Sequence, residues 1–415
     1  MTDQGPAAES GRTPAPFRIY GLSSALISFA VLRVINVVWV LLVMDTASKK
    51  APNTFVFGDW EWYLSIAVNG YLELNPGHEA DHYTDLAFFP LLPFLTRIVM
   101  VALGIAPFLA AVLVSSVACV LAAWALYRIG EVLDGPKTGF YLALAWAVVP
   151  PASLALNLPL SESLFTACAA WALLMLLRGQ LVGAALLCVL AGLTRPTAAA
   201  VIASVFWVAL GNLWRHRDVL VSLVSMLIAP LGLIGVVLFV GSQTGSLTGY
   251  LQVQKAWNAG VDFGARWFNE LAGRTDSSPD SASLWLALLL FGCSLVLLGW
   301  FLRARPPAAL TVYTVGCLFL MFGMGGPPSQ IQRWVIPVFP LLIPIASALA
   351  RIRLPVAAAL LGLALVATSV NSVFFVDHFP YAWQVTTDAS HVEGDRSVSN
   401  CVVERNAPLR HVDQQ

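Results

Sequence analysis

Residues 181–212 read LVGAALLCVLAGLTRPTAAAVIASVFWVALGN, an apolar stretch whose only charged side chain is that of Arg195. A helix that crosses a bilayer needs about 20 apolar residues, so this stretch is too long for one crossing. Pro196 follows the arginine directly, and a proline ends or kinks a helix at the preceding residue. The sequence therefore predicts two short membrane helices that meet at Arg195.

Comparable apolar stretches on both sides predict 11 membrane spans in all, with the broken stretch counted as two. They cover residues 21–44, 107–127, 138–157, 159–177, 181–212, 218–241, 284–302, 308–325, 334–350 and 354–375. Hydrophobic residues make up 58% of the chain and charged residues only 11%, against about 25% charged residues in soluble domains. This composition excludes a soluble fold and predicts an all-α polytopic membrane protein.

The charge balance of the chain excludes a second class of function. With 23 basic and 23 acidic residues, the formal net charge is zero. Nucleic-acid binding needs a basic surface, so nucleic acid is not predicted as a partner. The predicted surroundings are membrane lipids.

The basic residues orient the predicted spans, because Lys and Arg concentrate on the cytoplasmic side of membrane proteins. They fall at alternate ends of the spans: Arg12, Arg18, Arg128, Lys137, Arg178, Arg215, Arg217, Arg303, Arg305, Arg351 and Arg353. The alternation holds only if the apolar segment 88–104 does not cross the membrane. We therefore predict that 88–104 is a helix lying in the membrane interface, consistent with Pro90 and Pro93 at its start and Arg97 in its middle.

This orientation divides the chain into three parts. Residues 1–20 are predicted to be a disordered cytoplasmic N-terminus, 21–375 a membrane domain, and 376–415 a polar exterior tail. Within the membrane domain, the loops 45–106 and 242–283 are predicted to face the exterior. The predicted location is the plasma membrane, which the chain crosses several times.

The first exterior loop contains a candidate general base. Its segment FGDWEWYLSIAVNGY at 57–71 predicts a short amphipathic helix from Asp59 to Asn69, ended by Gly70, with aromatic rings suited to a membrane interface. A carboxylate held among such rings loses hydration and becomes a better proton acceptor. Asp59 is thus a candidate base; the alternative is an N-cap that satisfies free N–H groups of the helix.

The same loop carries potential metal ligands, namely His78, Glu79, Asp81, His82 and Asp85. Carboxylates and imidazoles at such spacing can hold a divalent cation, but similar sets in loops are more often simply solvated. We predict neither a cofactor nor a metal site, with a divalent cation as the alternative.

Glu162 lies at the predicted exterior end of two spans, in the stretch NLPLSESLF at 157–165. An ionisable residue near membrane depth is costly and usually functional, which favours a role in a site. The alternative is a capping arrangement in which Ser161 or Glu162 opens the helix after Pro159.

Two arginines occupy predicted helix ends on the exterior side: Arg195 in the broken hairpin, and Arg333 in QIQRWVIP at 330–337. A guanidinium suits phosphate or carboxylate ligands. The second exterior loop adds amides, a lysine and an indole, namely Gln252, Gln254, Lys255, Trp257 and Asn258. Amides pair with hydroxyls and indole faces pack on sugars, so together these residues predict a site for an anionic, polyhydroxylated ligand. For each residue alone, lipid-headgroup contact or loop capping is the alternative.

The order of these motifs resembles a known family, that of the second mannosyltransferase of GPI-anchor synthesis with its bacterial, largely actinobacterial, relatives, within the C-type glycosyltransferase superfamily. The resemblance covers about residues 20 to 375 and rests on GDWEWY at 58–63, IA at 66–67, GY at 70–71, AFFPLLP at 87–93, SESLF at 161–165, Thr194-Arg195-Pro196, Gln254, Trp257-Asn258, and QRW at 332–334 with Pro337 and Pro340.

The resemblance implies a C-type glycosyltransferase-like bundle of about 11 transmembrane helices with interfacial helices in the first exterior loop. It implies transfer of mannose from a polyprenyl or dolichyl phosphate carrier, with inversion, on the non-cytoplasmic face. We assign Asp59 as the base and Arg333, Arg195 and then Lys255 as phosphate ligands. The other predicted substrate-binding residues are Glu61, His82, Asp85, Glu162, Gln254, Trp257, Asn258 and Gln332.

The acceptor stays open at this stage, since a glycolipid, a polysaccharide or a protein can each offer a hydroxyl. Two other functions also stay open: transfer of another lipid-linked sugar such as arabinose or glucose, and transport of a lipid or solute. A transporter places its ionisable residues near the membrane midplane in interrupted helices, whereas here most lie at predicted helix ends.

Overall fold

The computed structural model describes residues 19–50, 59–72, 84–149, 156, 158–257, 260–265, 268–269, 272, 281–323 and 331–378. The prediction of an all-α fold is confirmed. The α-helices are α1 (Leu22–Lys50), α2 (Asp59–Asn69), α3 (Leu91–Leu103), α4 (Pro107–Asp134), α5 (Pro136–Ala147), α6 (Glu162–Leu177), α7 (Leu181–Gly192), α8 (Ala198–Trp214), α9 (Val219–Ile228), α10 (Leu231–Thr244), α11 (Gly249–Ala256), α12 (Ser281–Arg303), α13 (Ala308–Gly323), α14 (Ile331–Trp334), α15 (Ile343–Arg351) and α16 (Leu354–His378).

Five helical stretches are long and apolar enough to cross a membrane, namely 22–39, 107–134, 219–244, 284–303 and 354–371. Shorter apolar helices, α6, α7, α8 and α13 among them, pack between these. Large apolar side chains cover much of the outer surface, as expected for a protein whose solvent is lipid. The chain is therefore a multi-pass membrane protein.

Prolines set several of the helix boundaries. The predicted break at Arg195-Pro196 is present, since α7 ends at Gly192 and α8 begins at Ala198. Pro230 also divides the predicted span 218–241 into α9 and α10, because a proline has no N–H to continue the helical ladder. The predicted span 218–241 is thus present as one candidate membrane span, 219–244, which is interrupted at Pro230.

Helix α3 packs against α2 and contacts the α7–α8 connection. At its start, the N–H of Leu91 donates to the carbonyl of Leu193 in the α7–α8 connection. Beyond its end, Phe108 at the start of α4 meets Trp60 of α2, with ring centroids 5.6 Å apart. The two ends of α3 thus lie near the α7–α8 connection and α2, and the position of this helix in the membrane interface stays a prediction.

Glycines allow close approach between helices α7 and α10. A side chain at Gly232 would overlap the backbone carbonyl of Val189, and one at Gly192 would come within 2.5 Å of the backbone nitrogen of Leu233. Small residues at such contacts let membrane helices gain packing and van der Waals energy. This pair positions the α7–α8 connection that carries Arg195.

We expect Gly232→Ala to destabilise the protein by about 1–3 kcal/mol, because the added methyl group forces α7 and α10 apart. Gly235→Ala is the matched control, since it lies on the same helix and a methyl group there meets nothing within 4 Å. Thermal unfolding in one detergent measures both variants. Equal stabilities for the two would contradict the close contact.

Candidate active site

Four charged side chains meet where α2, α6, α14 and the α7–α8 connection come together, and we call Asp59, Glu162, Arg195 and Arg333 the charged cluster. Nη1 of Arg333 lies 2.5 Å from Oδ2 of Asp59, and its Nε donates to Oε1 of Glu162 over 2.9 Å. Nη2 of Arg333 lies 2.8 Å from that Oε1, and Nη1 of Arg195 lies 2.5 Å from it. Glu162 thus joins both guanidinium groups, and Arg333 joins both carboxylates.

Local structure explains how these side chains are held. Asp59 and Glu162 are the first residues of α2 and α6, where the positive end of a helix favours a carboxylate. One turn after Asp59, on the same face of α2, Tyr63 donates its hydroxyl to Oγ of Ser161 over 3.0 Å. That bond ties α2 to the residue preceding Glu162.

Burial decreases across the charged cluster from Glu162 to Asp59. The exposed fractions of the side chains are 0% for Glu162, 7% for Arg333, 13% for Arg195 and 24% for Asp59. Burial alone would lower the pKa of Arg333, but Glu162 and then Asp59 outweigh it and raise that pKa above its ordinary value. Arg333 is therefore a permanent cation, and removing its partners would leave a buried charge unpaired.

A cavity of ≈ 140 Å³ opens beside the charged cluster. Its polar wall includes Asp59, Arg195 and Arg333. The apolar wall includes Leu320 and Met321 of α13. Glu162 does not line the cavity; it lies behind the arginines rather than on the surface where the sequence analysis placed a substrate contact. The cavity therefore offers a ligand one carboxylate, two guanidinium groups and an apolar side.

Gln254 and Trp257 line the same cavity, and a side-chain nitrogen of each donates to the protein backbone. Nε2 of Gln254 donates to the carbonyl of Ala87 over 3.4 Å, and Nε1 of Trp257 donates to that of Thr84 over 3.2 Å. The Trp257 ring also meets the edge of Phe88, with centroids 5.2 Å apart. Both side chains hold residues 84–87 of the first exterior loop near α11, and they present their remaining surface to the cavity.

No family model and no curated protein matches this chain. The crystal structure of ArnT from Cupriavidus metallidurans bound to undecaprenyl phosphate is similar, with a TM-score of 0.52 and 13% identity over 87% of this chain and 77% of that chain. ArnT in the apo state gives 0.51 and 14% over 87% and 76%. Archaeal oligosaccharyltransferase AglB from Archaeoglobus fulgidus gives 0.46 and 13% over 86% and 56%.

The chain has the C-type glycosyltransferase fold. At 13% identity the similarity to ArnT concerns the fold alone. Any inference about the reaction therefore rests on the geometry of the charged cluster.

Besides Glu162 and Glu61, three predicted site residues do not line the cavity. Lys255 is exposed on α11 and does not line the cavity. Gln332 is buried, and its Oε1 accepts from Nδ2 of Asn371 over 2.9 Å. Asp85 is 2% exposed, and its Oδ2 accepts the N–H of Leu72 over 2.7 Å. Gln332 therefore joins α14 to α16. Asp85 joins two parts of the first exterior loop.

The remaining predicted ligands of the first and second loops, His82 and Asn258, lie outside the described residues, as do His78, Glu79 and Asp81. Among the residues that are described, no group of three or more His, Cys, Asp or Glu side chains could hold a metal ion. Burial raises the pKa of Asp85, and the hydrogen bond from Leu72 opposes that shift.

Glu61 lies two residues from Asp59 but on another face of α2, half-buried and outside the cavity lining. Burial raises the pKa of Glu61 from 4.5 to about 7. Between these two values the folded protein keeps a proton that the unfolded chain has lost. Stability therefore falls as the pH rises through this window and stays lower above it.

We expect Glu61→Gln to have a thermal midpoint roughly 2 °C above the wild type at pH 8 and equal to it at pH 4.5, since glutamine mimics the protonated side chain. Thermal unfolding of both proteins at the two pH values tests this. A difference of the same size at both would contradict the burial of an ionising carboxyl group.

Tyr63 and Ser161 are site residues that the sequence analysis did not assign. Both line the cavity, and burial raises the pKa of Tyr63 to about 12, so its hydroxyl stays protonated. The spacing of Tyr63 four residues after Asp59 is a signal that points to it, because residues at that spacing share a helix face. Ser161 gives no comparable signal, since its contact depends on the packing of α2 against a distant part of the chain.

Proposed function

We propose that this protein transfers mannose from a polyprenyl phosphate carrier to an acceptor hydroxyl, with inversion at the anomeric carbon. The observation that carries the proposal is that one cavity is lined by both a partly exposed carboxylate, that of Asp59, and a partly exposed guanidinium, that of Arg195. ArnT, which shares the fold, binds undecaprenyl phosphate, and this supports a polyprenyl phosphate as the carrier. The motif resemblance supports mannose as the sugar.

The reaction needs a base and a phosphate ligand but no acid, because a polyprenyl phosphate is already a good leaving group. The acceptor oxygen bonds to the anomeric carbon as the bond from that carbon to the phosphate oxygen breaks, and the phosphate leaves with the electron pair. Asp59 takes the acceptor proton, a step typically worth 10²–10⁴-fold in rate. The guanidinium groups stabilise the charge that develops on the phosphate.

Arg195 replaces Arg333 as the leading phosphate ligand in this proposal. Nη1 of Arg195 contacts Glu162 and Ser161. Its Nε and Nη2 have no partner among the described residues, so both are left for a ligand. All three nitrogens of Arg333 already contact carboxylates. Glu162 takes a positioning role in place of the substrate contact expected from sequence, and Lys255 drops out because it lies away from the cavity.

The two walls of the cavity suit a carrier with a charged head and an apolar tail. Leu320, Met321 and Cys317 of α13 also line the cavity and give the isoprenoid chain an apolar path. Positive-inside counting supports a cavity that faces the exterior of the plasma membrane, where a glycolipid, a polysaccharide or a protein offers the acceptor hydroxyl.

A donor panel tests the proposal. Purified protein is incubated with a membrane lipid extract and with radiolabelled polyprenyl-phosphate-mannose, -glucose or -arabinose, and the labelled products are identified. We expect a labelled product with the mannose donor, whereas a product with only glucose or arabinose would replace mannose as the sugar. No product from any donor, in protein shown to be folded, would contradict sugar transfer itself.

A further inference from the structure

Each side-chain nitrogen of Arg333 contacts a carboxylate in this structure. Its Nε and Nη2 contact Oε1 of Glu162 at 2.9 and 2.8 Å, and its Nη1 contacts Oδ2 of Asp59 at 2.5 Å. Yet Arg333 lines the cavity beside Arg195. Its charge is thus already neutralised by carboxylates, so a phosphate that binds at Nη1 competes with Asp59 for that nitrogen.

The two partners of Arg333 differ in how readily they can be replaced. Glu162 is fully buried and is also held by Arg195, so removing it from the arginines would leave an unpaired charge in the protein interior. Asp59 is 24% exposed, lines the cavity, and contacts only this arginine among the described residues. Asp59 is thus the exchangeable partner, since its carboxylate can turn to water or to an acceptor at little cost.

The charges of the cluster support the same exchange. Two guanidinium groups and two carboxylates sum to zero, so the four groups together give an anion no net attraction. When Asp59 moves away, Arg195, Arg333 and Glu162 together carry one positive charge. A monoanionic phosphodiester matches that charge.

We propose that a lipid-linked phosphate enters by displacing Asp59 from Nη1 of Arg333, while Glu162 stays bound to both arginines as the positioning residue. The proposal rests on the proposed function for the identity of the ligand. A carboxylate that loses its cationic partner and gains a neighbouring anion accepts a proton more readily. Donor binding itself would thus activate Asp59, and the base would act only when a donor is present.

Binding of undecaprenyl phosphate to purified protein in nanodiscs tests the exchange without any transfer step. We expect Asp59→Asn and Asp59→Ala to bind this probe about tenfold more tightly than the wild type, because the competing carboxylate is gone. Glu131→Gln is the matched carboxylate-to-amide control, since Glu131 pairs with Arg128 on α4, away from the cavity, and should leave binding unchanged. Unchanged or weaker binding in both folded Asp59 variants would overturn the exchange.

A double-mutant cycle separates a positioning role of Glu162 from a purely structural one. In a Glu162→Gln background two arginines share one carboxylate, so a phosphate can bind without displacing Asp59. We expect the tenfold effect of Asp59→Asn to fall to about twofold there. An undiminished tenfold effect in folded protein would assign Glu162 a structural role only and overturn its part of the proposal.

The outcomes for the exchange and for the proposed function are distinguishable. Sugar transfer by the wild type together with unchanged probe binding in the Asp59 variants would remove the exchange and keep the transferase. Tighter probe binding in those variants with no transfer by the wild type would keep the exchange as a property of a lipid-phosphate site and remove the transferase.

Discussion

Replacing Asp59 with asparagine should lower the rate of sugar transfer by at least about 100-fold, because the amide keeps the shape of the side chain but cannot accept the acceptor proton. The side chain is partly exposed at the rim of the cavity, so the substitution should leave expression and folding intact. The measurement is the transfer rate at saturating donor, for protein whose thermal unfolding matches the wild type.

Glu61→Gln is the matched control for Asp59→Asn, being the same change two residues along the same helix. We expect a much smaller loss, because Glu61 does not line the cavity. Retention of more than about a tenth of wild-type activity by Asp59→Asn would contradict its role as base. Equal losses at both positions would instead require a pair of carboxylates acting together.

The second large effect is expected at Arg195. Arg195→Ala should lower the transfer rate by roughly 10²–10³-fold, the usual cost of losing one donor to a developing oxyanion. Arg195→Lys keeps the charge but loses the planar pair of donors, so we expect an intermediate loss, seen mainly in the rate at saturating carrier. Transfer kinetics against carrier concentration measure both variants.

Arg333→Lys is the comparison for Arg195→Lys. A lysine cannot reproduce the three contacts of Arg333 with Glu162 and Asp59, so this variant should lose stability as well as activity. If Arg195→Lys behaves as the wild type while folded Arg333→Lys loses transfer, the leading phosphate ligand is Arg333, as the sequence alone suggested.

Most helices could be predicted from the sequence, because hydropathy and helix-breaking residues are local signals. The break at Arg195-Pro196 followed from the length of the apolar stretch and from the proline within it. Pro230 is the same kind of local signal for the interruption within 218–241. The sequence analysis did not use it, because the whole stretch is continuously apolar. Local patterns thus described the helices well and their interruptions less well.

The site could be predicted only in part, because its contacts join distant parts of the chain. Asp59 and Arg333 lie 274 positions apart, and nothing in the spacing of either shows that they pair. For the same reason, sequence could not show that Glu162 lies behind the arginines, or that Gln332 binds Asn371. Chemical type identified the candidates, and tertiary packing decided which of them share the cavity.

Covalent transfer, as opposed to movement of an intact lipid or solute, is the central claim, and one measurement tests it most directly. Proteoliposomes containing the wild type or Asp59→Asn receive radiolabelled polyprenyl-phosphate-mannose and an acceptor extract, and extraction separates intact donor from labelled product. The account predicts labelled product with the wild type and at least about 100-fold less with Asp59→Asn. Donor that crosses the bilayer unchanged, equally with both proteins and with no product formed, would contradict it.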